Sequence, residues 1–182
     1  MKKIDLTNVQ EAGDFQRPSA GAYICEIKSV EDITDKEYLK VTFDIVEGEF
    51  AGYYTKTREE HPDWAWMGQY CRSYKDKALG MFKRFCSAVS KSNGNFIFDG
   101  NTVNSDERTL AGKRVGIVLQ EEEYYGNDGN KKVKLVVNKE FPVSEIAMQR
   151  VPKRKEIHDD AEIANAGTSA DEVEIPFLAE NK

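Results

Sequence analysis

The strongest constraint on the fold is a period-two alternation that recurs along the chain. In "YLKVTFDIV" (38–46), Leu39, Val41, Phe43 and Ile45 alternate with Lys40, Thr42 and Asp44, which predicts a half-buried strand with the second set facing water. The pattern returns at 114–119, where Val115, Ile117 and Leu119 alternate with Arg114, Gly116 and Val118. It appears again at 131–141, with Val133, Leu135 and Val137 inward and Lys132 and Lys134 outward. On a helix, residues two apart point in widely separated directions, so these segments cannot each bury one face as helices. The segment 22–33 carries Tyr23, Cys25 and Ile27 on one face and forms a hairpin with 38–46.

The remaining segments suggest how the strands are ordered. After a turn at 47–52, "YYTKTR" (53–58) reads as a third strand with Tyr54, Lys56 and Arg58 on one face. Residues 59–74, with Pro62 and both tryptophans, read as an irregular or short helical connector. Leu79, Phe82, Cys86 and Val89 then recur at spacings of 3, 4 and 3, which predicts a helix with one apolar face and a core place for Phe82. A loop-rich stretch follows, with a short strand expected at 95–98. "GNDGN" (126–130) is a hairpin turn, since Asn, Asp and Gly tolerate positive φ. Three strands, a helix and two strands is the order of the OB-fold, a five-stranded Greek-key barrel with one helix between strands three and four. An SH3-like barrel and a small β-sandwich share the strand count. A helical turn is expected in 143–150. From Pro152 the hydrophobic pattern stops, so a mainly β domain is expected over 1–151 and a disordered acidic tail over 152–182.

A chain of 182 residues can bury a core without metals or disulfides, and its apolar runs fall short of the roughly 20 residues a membrane helix needs. No apolar stretch follows Lys2 and Lys3, so a cytoplasmic location is expected. Cys25, Cys71 and Cys86 show no C-x-x-C spacing and the histidines are His61 and His158, so reduced thiols and no metal or cofactor are expected. No P-loop, G-x-G-x-x-G or G-x-S-x-G is present. Glu121, Glu122 and Glu123 beside Asp128 are the best candidates to hold Mg²⁺ in a nuclease. Adjacent strand residues point to opposite faces, however, so the triplet reads better as a solvated strand end and the chain as a non-enzyme.

Charge is unevenly placed. The formal net charge is −6, yet residues 156–182 carry −7 and residues 1–155 carry +1. Between 53 and 91, the aromatics Tyr53, Tyr54, Trp64, Trp66, Tyr70 and Tyr74 interleave with Lys56, Arg58, Arg72, Lys75, Lys77, Lys83, Arg84 and Lys91, for a net charge of +4. A single-strand binder needs both ingredients: cations follow the phosphates, and ring faces stack on unpaired bases of any sequence. Either tryptophan could instead pin the connector to the barrel. Tyr124, Tyr125, Lys131, Lys132 and Lys134 repeat the combination around the 126–130 turn, which in an OB-fold flanks the binding groove.

Near the C-terminus, Asp171, Glu172 and Glu174 precede Ile175, Pro176 and Phe177 in "DEVEIPFL". This resembles the acidic tip of bacterial single-stranded DNA-binding proteins, in which a run of acids ends in Ile-Pro-Phe and recruits replication, repair and recombination proteins. Here the chain continues for five residues past Phe177. The body pieces "AGAYICEI", "EYLKVTFDIVEGEFAGYY" and "LAGKRVGIVLQEEEYYGNDG" resemble a phage early-gene family encoded among recombination and replication genes. The resemblance implies a phage or prophage protein in the cytoplasm of a bacterial host that coats single-stranded DNA and engages replication or recombination partners through the tail. The alternative is a protein-interaction adaptor or host-takeover protein on the same barrel. Homo-oligomerisation stays open.

Overall fold

A computed structural model of the chain describes residues 7, 16–63, 68–101 and 106–157. The alternating segments form strands β1 (Gly21–Ile33), β2 (Tyr38–Ile45), β4 (Arg114–Tyr125) and β5 (Lys131–Phe141), joined by the short strand β3 (Gln69–Ser73). Among the described residues they make one antiparallel sheet in the order β3-β2-β1-β4-β5. Placing the fourth strand beside the first is the Greek-key order. Most of the inward set behaves as the periodicity requires: Cys25, Ile27, Leu39, Val41, Phe43, Ile45, Val115, Ile117 and Leu119 are buried. Val133, expected inward, is 46% exposed, and Leu135 and Val137 are half-buried, because β4 and β5 run on as a two-stranded ribbon past Leu119, where pairing with β1 ends. Val118, expected outward, is buried on the face where Ile146 packs on Gly116. The turn at 126–130 closes the β4–β5 hairpin, with the Gly126 amide donating to the Asn130 carbonyl at 2.9 Å. No helix among the described residues is long and apolar enough to cross a membrane. All three cysteines are free, and burial holds the Cys86 thiol up to about 12.

The expected third strand is a helix. Tyr53–Glu60 forms α1, and β3 lies in the stretch read as a connector. The reason lies in Asp44, which alternation places outward and which is instead 2% exposed. Its carboxylate accepts the amides of Ile45, Tyr54 and Thr55 at 2.8–3.0 Å and so satisfies two of the donors that a helix start leaves open. Gly52, at φ 75°, turns the chain into that position. Tyr54 and Thr57, three apart, are then buried while Lys56 and Arg58 face water. Gly68 (φ 79°) lets the chain re-enter the sheet: a Cβ there would lie 2.7 Å from both the Phe43 carbonyl and the Tyr54 ring.

The second helix, α2 (Leu79–Ser92), forms where its period predicts and packs against β3, β4 and β5. Resting across three strands turns its buried face toward Phe85, Cys86, Ala88 and Val89. Phe85 therefore fills the core position expected of Phe82, which is half-buried, and Leu79 is exposed. Residues 95–98 form no strand: the Phe98 amide donates to Ser90 Oγ, and its ring enters the core as a plug. Asn93 ties the end of α2 to β4 by donating to the Arg114 carbonyl and accepting the Arg114 amide. A 3-10 turn at Val143–Met148 supplies the expected terminal turn, with Ile146 packed on Gly116.

The edge strands β3 and β5 are linked through side chains. Arg72 of β3 donates its Nε–H to Glu140 of β5, and both side chains are largely withdrawn from solvent. Arg72 also lies 4.8 Å over the Tyr70 ring. The Tyr70 hydroxyl is buried with no hydrogen-bond partner among the described residues. Burial and then the charge of Glu140 hold its pKa well above the usual value.

Candidate nucleic-acid interface

The strand register assigns each outward residue to a surface. Tyr38, Lys40 and Thr42 of β2 lie opposite Ser73, Cys71 and Gln69 of β3, while Glu31 and Ser29 of β1 lie opposite Lys40 and Thr42. These residues share the face turned away from the core. Ser29, Glu31, Lys40, Thr42 and Gln69 line a shallow polar groove of about 300 Å³, and Arg58 of α1 closes its side. Gln69 Nε2 donates to Thr42 Oγ1 at 3.3 Å, and Lys40 lies 3.6 Å from Glu31. With Lys40 and Arg58 against Glu31, the lining is net cationic. Its hydroxyl and amide groups can contact sugars and phosphates without selecting a base.

The predicted binding residues end up in different places. Tyr54 is in the core, its ring 5.4 Å from Phe43, so it offers no face for stacking. Lys56 and Arg58 are exposed on α1, with Arg58 at the groove. Arg72 faces Glu140 at the β3–β5 seam. There, burial alone would lower its pKa, and the Glu140 carboxylate raises it above the usual value. Tyr74 donates to Asp32 at 2.8 Å and packs edge-on against Phe82, 5.8 Å away. Trp64, Trp66 and the tail residues Asp171, Glu172, Glu174, Ile175, Pro176 and Phe177 lie outside the described residues.

At the hairpin, the predicted cluster divides between the two faces of the ribbon. Tyr124 pairs with Lys132 and Tyr125 with Lys131, so adjacent tyrosines point to opposite faces. Lys134 Nζ lies 5.5 Å from the centroid of Tyr124, and Lys131 Nζ lies 5.9 Å from that of Tyr125. Each exposed ring thus already has an ammonium beside it, an arrangement that can meet a base and its phosphate together. Lys132 is held 3.0 Å from Asp128, and this contact lowers the pKa of the Asp128 carboxyl.

Sequence reasoning did not select Tyr38, Lys40 or Gln69 as contacts. The alternation of 38–46 places Lys40 outward. It does not give the neighbouring strand: the third strand is expected at 53–58, and Gln69–Ser73 takes that place. The acidic triplet is also more engaged than a solvated strand end: Glu121 and Glu123 share one face and Glu122 takes the other, all half-buried and ion-paired. No protein-family model and no curated protein sequence matches this chain.

Proposed function

We propose that this chain is a non-enzymatic single-stranded DNA-binding protein built on an OB-type barrel. The reading is supported most by the polar groove on the outer face of β2 and β3, rimmed by Lys40 and Arg58, since that is the face by which OB-folds hold oligonucleotides. Two further features favour a barrel. The helix between β3 and β4 reaches both edge strands, and Arg72–Glu140 bridges the seam where a partly open barrel would close. The hairpin, with Tyr124 and Tyr125 exposed beside lysines, sits where the loop between strands four and five would flank a bound strand.

In this reading the protein coats unpaired DNA during phage or prophage replication or recombination in a bacterial cytoplasm, and the Ile175-Pro176-Phe177 tail recruits partner enzymes. Contacts to phosphate and to ring faces carry little sequence information, so binding should be indifferent to sequence and weaken as salt rises. The test is an anisotropy titration of labelled oligo-dT and of matching duplex at two salt concentrations. Preference for the single strand is expected, weakened on Lys40→Ala/Arg58→Ala double substitution. Equal affinity for duplex, or no binding at low salt, refutes the proposal.

One observation favours an adaptor instead. A mostly apolar groove of about 770 Å³ runs between α2 and residues 98–100, lined by Leu79, Phe82 and Phe98. An adaptor would bind no oligonucleotide in the same titration.

A further inference from the structure

At the C-terminal end of the described residues, a basic segment lies along an acidic strand. Lys155 bridges Glu122 in parallel register; its amide donates to the Glu121 carbonyl and its carbonyl accepts the Glu123 amide, both at 2.9 Å. Gln120 Nε2 donates to the Lys153 carbonyl at 2.6 Å. Arg154 reaches Glu121 at 2.6 Å and Glu123 at 3.9 Å, and Lys155 reaches Glu122 at 3.2 Å. Pairing of β4 with β1 ends at Gly21 and Leu119, so the segment occupies the strand edge that β1 leaves open.

Backbone hydrogen bonds hold the segment's main chain, and charge, more than burial, holds its side chains. Its cations are exposed, and exposed ion pairs are individually weak and screened by salt. Glu122 is also shared: Lys134 of the hairpin approaches it at 3.4 Å from the other side. One carboxylate thus restrains a lysine of the candidate interface and a lysine of the segment. A strand that binds at Lys134 brings its phosphates to the carboxylate that also holds Lys155.

We propose that Arg154 and Lys155, beside the exposed Lys153, form a second phosphate-binding segment, the two of them held back by Glu121, Glu122 and Glu123 and transferred to the nucleic-acid backbone when phosphates outcompete the carboxylates. This rests on the single-strand reading above. Carboxylate and phosphodiester compete for the same guanidinium and ammonium groups, and a single strand brings many phosphates to the adjoining hairpin. The net charge of the described body understates the cations available once a strand is bound.

The experiment uses the full chain and a fluorescein-labelled dT oligomer between 50 and 200 mM NaCl, with the Glu121→Gln/Glu122→Gln/Glu123→Gln variant. Glutamine keeps shape and the backbone pairing, and Glu122→Gln alone serves if the triple variant unfolds on heating earlier than wild type. Releasing the three cations that these glutamates hold, Lys134, Arg154 and Lys155, should steepen the logarithmic salt dependence by up to about 2, so that affinity falls roughly fifteenfold more over this range than for wild type. In a Lys153→Gln/Arg154→Gln/Lys155→Gln background only the share of Lys134, about 0.7, should remain. Full steepening in that background, or identical slopes for wild type and the glutamine variant, overturns the inference while leaving single-strand binding intact. Absence of binding by every protein overturns the functional reading and the inference with it.

Discussion

Replacing Arg72 with methionine removes the cation from the seam between β3 and β5 and leaves Glu140 with its side chain 2% exposed. An exposed pair would be worth about 1 kcal/mol or less, but that scale does not apply where water cannot reach the orphaned carboxylate. Breaking a buried pair by removing one partner costs about 3–5 kcal/mol, and for a domain of this size each kcal/mol lowers Tm by roughly 2–4 °C, so a fall of about 10 °C is expected. The double variant Arg72→Met/Glu140→Leu removes both charges and should recover most of that loss. Urea unfolding of the two variants at pH 7 is the assay. A loss under about 1 kcal/mol in the single variant, or a double variant no better than the single, refutes the seam argument. Arg72 touches Glu140 rather than the outer groove, so the salt slope of oligonucleotide binding should be unchanged in the single variant while it remains folded. A shallower slope would restore Arg72 to the phosphate contacts.

Asp44→Ala strands two helix amides and should cost about 2–4 kcal/mol with loss of α1, read by amide exchange across 53–60; normal protection there would refute the capping role. Gly68→Ala meets both a positive φ and a 2.7 Å clash with the Phe43 carbonyl, and should cost about 2 kcal/mol or more in urea unfolding. A cost near zero would mean that the 68–69 backbone shifts freely. Burial raises the Tyr54 and Tyr70 phenols above the usual value of 10.0, so the stability they contribute is complete below pH 10 and is lost as pH rises further. Each should remove about 1.4 kcal/mol per pH unit. Tyr70→Phe, which gives up a buried hydroxyl with no hydrogen-bond partner among the described residues, should be neutral at pH 7 and should flatten that alkaline limb; an unchanged limb would count against it.

Local periodicity was enough to locate β1, β2, β4, β5, α2 and the 126–130 turn, because a step of two or of three to four is a property of neighbours along the chain. The same rule failed at 53–58. "YYTKTR" alternates like a strand, and only the Asp44 carboxylate, nine residues before Tyr53 in sequence, supplies the hydrogen bonds that make a helix the better state. Asp44 itself was misplaced for the same reason: alternation says which way a side chain points but not what lies there. The candidate site was legible as composition, in the mixture of tyrosines, lysines and arginines, but not as a surface. Pairing across the sheet and helix docking decided that Tyr54 is core, that Arg72 meets Glu140, and that Lys40 and Arg58 share a groove. Those are contacts between residues more than ten positions apart, set by register and helix docking, and nothing in a sequence window carries them. The acidic triplet and the basic segment 153–155 are each plain in the sequence as charge runs. That they neutralise each other follows only from β4 outrunning β1 and leaving an edge for the returning chain to cover.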